Sequence, residues 1–72
     1  MDLEKLSDKQ DFEEIEQEHP QTADAIKMAV YLGHMDQEGI ERFFVNRGKG
    51  KELAAKCGRA ARHLIREKKS PA

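Results

Sequence analysis

The chain has 72 residues, of which 38% are hydrophobic and 38% charged, with three Phe, one Tyr and no Trp. That length allows one domain, and it leaves too little core to wall in the deep cavity a small-molecule enzyme needs. Net charge is −1, and the figure hides a strong polarity. Residues 1–41 carry twelve Asp or Glu against three Lys, a charge of −9. Residues 42–72 carry ten Lys or Arg against two Glu, a charge of +8. A basic half of this kind favours a polyanion or an acidic protein surface. The acidic half either keeps the molecule soluble, neutralises the basic half in cis or in a dimer, or contacts a basic partner. The single cysteine, Cys57, cannot form an internal disulfide and reads as a small core residue. No signal-peptide pattern and no membrane span are found, the longest apolar stretch being residues 29–32; a cytoplasmic protein is expected.

Alternating apolar and polar runs of the strand type are absent, and the fold expected is all-α, a compact bundle of three to four short helices. The domain is expected over 8–68, with a disordered N-terminus over 1–7 and a disordered tail over 69–72. The first helix is expected over 8–18, after a capping-box pattern at Ser7 and Gln10 and before His19 and Pro20. Its apolar content is thin, Phe12 and Ile15, and Glu13, Glu14, Glu16 and Glu18 read as a solvated face. The second helix is expected to be capped by Thr22 and to reach Gly33. It shows two apolar stripes, one of Ile26, Ala29 and Val30 and another of Met28, Leu32 and Met35, so it is expected to be buried on more than one side. Asp36 caps the third, whose buried face is expected to be Ile40, Phe43 and Phe44, with Gly48 as its C-terminal stop.

The last segment, 51–68, carries most of the functional signal. Leu53, Cys57, Ala60, Ala61, Leu64 and Ile65 fall within roughly 140° of a helical wheel, and Lys51, Lys56, Arg59, Arg62 and Arg66 project from the other side. Within it stands Glu-Leu-Ala-Ala-Lys-Cys-Gly-Arg-Ala-Ala-Arg-His-Leu-Ile at 52–65. Over about 39–66 the chain resembles the helix-turn-helix of the phage repressor and Cro family, with Ala54 at the close helix crossing, Gly58 at the turn and Leu64 packed between the helices. The resemblance implies a second helix over 59–67 that presents Arg59, Arg62, His63 and Arg66 to a DNA major groove. Lys49, Lys51, Lys56, Lys68 and Lys69 would then meet phosphates. The sequence departs from the family where Arg59 and Ala60 replace a capping residue, and where Glu67 stands at an expected apolar position. The competing reading is one continuous helix through Gly58, at a cost of about 1 kcal/mol relative to Ala.

No cofactor and no metal are expected, because His19, His34, His63 and Cys57 lack paired ligand spacing. The Gly-Lys-Gly-Lys run at 48–51 lacks phosphate-loop spacing and reads as a flexible connector. The expectation is therefore a non-enzymatic, DNA-binding transcription regulator, able to act as a homodimer. The alternative is a phage-like protein-binding regulator or inhibitor, for example of RNA polymerase, which docks through its acidic N-terminal and basic C-terminal surfaces.

Overall fold

A computed structural model describes residues 3–69, with side chains from Leu6 onward. Four helices follow in order: α1 Leu3–Glu18, α2 Pro20–Tyr31, α3 Gln37–Asn46 and α4 Lys51–Lys69. Among the described residues no strand occurs, as the sequence leads one to expect.

The helix starts follow local chemistry. Pro20 occupies the first turn of α2, where its missing N–H costs nothing and its fixed φ suits a helix. The cap expected at Thr22 is therefore three residues late, and His19 is the N-cap residue. Asp36 caps α3 as expected, its carboxylate accepting from the Gly39 amide at 2.8 Å. Gly48 closes α3 at a φ of +78°, a conformation that suits glycine. Helix α1 begins at Leu3 and not at Asp8. Residues 1, 2 and 70–72 lie outside the described residues.

Helix α4 packs against the other three and forms the spine of the bundle. Its inward residues are small, Ala54, Cys57, Gly58, Ala60 and Ala61, all buried, which lets neighbouring helix axes approach closely. Phe12 and Ile15 come from α1, Ala23, Ile26 and Val30 from α2, Ile40 and Phe44 from α3, and Leu64 completes the core from α4.

Three expected core positions are corrected. Met28 and Leu32 are 57% and 76% exposed and Phe43 is 37% exposed, whereas Met35 is partly buried against the core. The second stripe of α2 faces outward because α1 and α4 cover only the Ala23, Ile26 and Val30 side, and no fifth helix exists among the described residues to cover the other.

Candidate functional site

Helix α4 does not turn at Gly58; Lys51–Lys69 is one helix. Gly58 is not among the positive-φ glycines, so the backbone feature a turn would require is absent. The glycine answers a packing demand instead. A Cβ at Gly58 would lie 2.5 Å from Cγ of Glu41, so the Glu41 side chain of α3 lies over the glycine and a larger residue there must displace it. Of the two arrangements the sequence allowed, two helices about Gly58 or one through it, the second is present.

The cationic stripe of α4 is covered by α1. Arg62 donates from Nε to Asp8 Oδ2 at 2.6 Å and from Nη2 to Asp8 Oδ1 at 2.8 Å. Arg66 donates from Nη1 to the same carboxylate at 2.7 Å. Arg59 donates from Nε to Asp11 Oδ2 at 2.6 Å, and Lys56 pairs with Glu14. The partners ascend α1 as they descend α4, so the two helices run antiparallel with a ladder of carboxylates facing a ladder of cations. The spacing explains the match. Positions 8, 11 and 14 on α1 and 56, 59, 62 and 66 on α4 recur every three or four residues, which places each set along one helix face.

Asp8 is fully buried. Burial by itself would raise its carboxyl pKa, but the hydrogen bonds and charges of Arg62 and Arg66 outweigh it and hold the pKa below the ordinary value of 3.8. Glu14 in turn raises the Lys56 pKa, chiefly by its hydrogen bond. Asp8 and Asp11 were missed as site residues in the sequence. The signal lay in the spacing: Asp8 precedes Phe12 by four and Asp11 precedes Ile15 by four, so both acids belong to the buried stripe of α1 rather than to its solvated face.

The remaining residues expected at a nucleic-acid face are dispersed. Lys68 donates to the Val30 carbonyl at 3.2 Å and contacts Nδ1 of His34 at 2.6 Å, so it closes the C-terminal end of α2. His63 lies against Phe12, ring centroids 5.9 Å apart, with Nε2 3.7 Å from Glu67 Oε1. Lys49, Lys51 and Lys69 are exposed. Cys57 is buried, and burial pushes its thiol pKa up to about 11, far from a nucleophile's. Among the described residues no group of three His, Cys, Asp or Glu is placed to hold a metal ion, and no helix is long and apolar enough to cross a membrane.

A second feature lies across the bundle. A shallow groove of about 240 Å³ runs between the start of α2 and the end of α3, lined by Gln21, Thr22, Ala25, Phe43, Phe44, Arg47 and Lys49. Phe44 belongs to the core, and the more exposed Phe43 meets it edge-on at a centroid distance of 5.1 Å. The Arg47 guanidinium lies 4.5 Å above the Phe43 ring, within cation–π range. Backbone hydrogen bonds from Arg47 N–H to Phe43 O and from Lys49 N–H to Phe44 O end α3 beside the groove.

Among the described residues these features define a small four-helix bundle in which four cations of α4 pair with carboxylates of α1, with a cation-lined groove between α2 and α3. No protein-family model, curated protein or solved structure matches the chain.

Proposed function

We propose that this chain is a non-enzymatic protein-binding regulator. The observation that carries the reading is the α1–α4 ladder. Four of the cations expected to contact DNA, Lys56, Arg59, Arg62 and Arg66, are engaged by Asp8, Asp11 and Glu14 of the same chain. A duplex that contacts those partly exposed side chains must compete with the carboxylates of α1, a helix anchored by buried Phe12 and Ile15. Burial of two such side chains is worth about 3–6 kcal/mol in all. Meanwhile Met28, Tyr31, Leu32, Phe43 and Val45, in or beside α2 and α3, remain exposed.

The DNA-binding reading retains Lys49, Lys51 and Lys69 as accessible cations. Three phosphate contacts give weak, strongly salt-dependent binding.

The test is capture of partners from a lysate by the immobilised full chain, before and after nuclease digestion, followed by titration of the purified partner. A protein retained after digestion that binds directly when purified is the expected result. Loss of every partner after digestion would remove the reading.

A further inference from the structure

The geometry points to the groove between α2 and α3 as the docking site for an acidic segment of another protein, bearing an aromatic or large aliphatic anchor that seats against Phe43. This rests on the protein-binding reading and names the chemistry of the partner.

Three independent sources of positive potential converge on the groove. Arg47 and Lys49 stand at the rim, and none of the seven lining residues is acidic. The third is the start of α2. No side chain caps it and its first turn carries no acid, so the leading amides, at Gln21 and Thr22, have no intrahelical acceptor and add the positive end of the helix dipole. Both residues line the groove. In a chain with 14 acidic residues, a groove lined by two cations and no acid favours a partner of opposite sign.

The floor supplies the second half of the specificity. Phe43 is 37% exposed and is held between Phe44 beneath and Arg47 above. An aromatic ring that is fixed yet accessible is the kind of residue that dominates interface energetics. At about 240 Å³ the groove is smaller than the 300–1,000 Å³ typical of small-molecule sites and too open to enclose a metabolite, but it suits one or two side chains of a peptide. Acidic side chains beside the anchor would reach Arg47, Lys49 and the α2 amides without displacing any ion pair already formed in the bundle.

The test is selection from a random-peptide display library on the full chain, with affinities of enriched peptides then measured on variants. Enriched peptides are expected to combine Asp or Glu with an aromatic or large aliphatic residue and to bind more weakly as salt rises. Their binding should fall by about tenfold or more in Phe43→Ala and in Arg47→Glu, the scale of an interface anchor. Met28→Ala, exposed on α2 outside the groove, should leave it unchanged. Enrichment of basic or neutral peptides, no enrichment, or acidic peptides that bind Phe43→Ala as well as the parent would overturn the inference. So would a concentration-dependent dimer abolished by Phe43→Ala, which would give the groove to a second copy of the chain. Peptides that bind away from the groove remove this inference and leave the protein-binding reading standing, whereas loss of every captured partner after nuclease removes that reading.

Discussion

Asp8 decides how α1 and α4 meet. On a thinly apolar helix it occupies the position one turn before Phe12, where a hydrophobic residue would ordinarily sit. A fully buried carboxylate there would be costly if unpaired. Its two oxygens instead receive three hydrogen bonds from Arg62 and Arg66, whose side chains remain 31% and 33% exposed. The arginines therefore stay partly hydrated while the acid is desolvated, which softens the penalty that fully buried pairs incur. Asp8→Asn is expected to lower stability at neutral pH by about 2 kcal/mol, the scale of hydrogen bonds to charged groups. The sign of the pH dependence follows from the depressed carboxyl pKa. Its contribution is fully present above the unfolded value of 3.8 and is lost as pH falls through the lower folded value. Urea unfolding at a series of pH values should therefore show the gap between parent and variant narrowing below 3.8. A gap that stays constant into that range would mean that the buried carboxylate is not the source of the effect.

Helix α4 illustrates how far local pattern carries. Its extent, its apolar stripe and its cationic stripe were all legible from residue spacing, because a single helix obeys a single period. The interpretation of Gly58 was not, since glycine serves both a left-handed turn and a close helix contact. The choice depends on Glu41 in α3, which sequence spacing does not place beside it. The same limit explains Met28, Leu32 and Phe43: each lies on an apolar stripe, but whether a stripe is covered depends on how many helices the chain has to cover it. Substitution separates the two roles of Gly58. In a continuous helix Gly58→Ala gains about 1 kcal/mol of helix propensity, offset by displacing the Glu41 side chain, so the single change is expected to be near neutral. In a Glu41→Ala background the same change should stabilise by about 1 kcal/mol, read from the urea midpoint. Destabilisation in both backgrounds would indicate a turn.

At the scale of the whole molecule, the opposition of −9 and +8 along the sequence becomes a contact inside the fold. Of the readings that polarity allows, neutralisation in cis is the one the bundle displays for Asp8, Asp11 and Glu14. The polarity itself was plain in the sequence. That it is satisfied internally was not, because it depends on the antiparallel pairing of helices separated by more than thirty residues. The cations of α4 thus face α1, while on the α2–α3 side Phe43 lies beside Arg47 and Lys49.

The most direct measurement of this arrangement is an amide-shift NMR titration of the full chain with a short mixed-sequence DNA duplex, at low and then moderate salt. If α1 covers the cationic face of α4, the amides of Arg59, Arg62 and Arg66, and those of Asp8 and Asp11 opposite them, should stay in place at both salt concentrations. Only weak shifts near Lys49, Lys51 and Lys69 are expected, disappearing as counterions compete. Salt-sensitive shifts centred on Arg59, Arg62 and Arg66, accompanied by movement at Asp8 and Asp11, would show that a polyanion displaces α1, and would contradict the internal neutralisation on which the protein-binding reading stands.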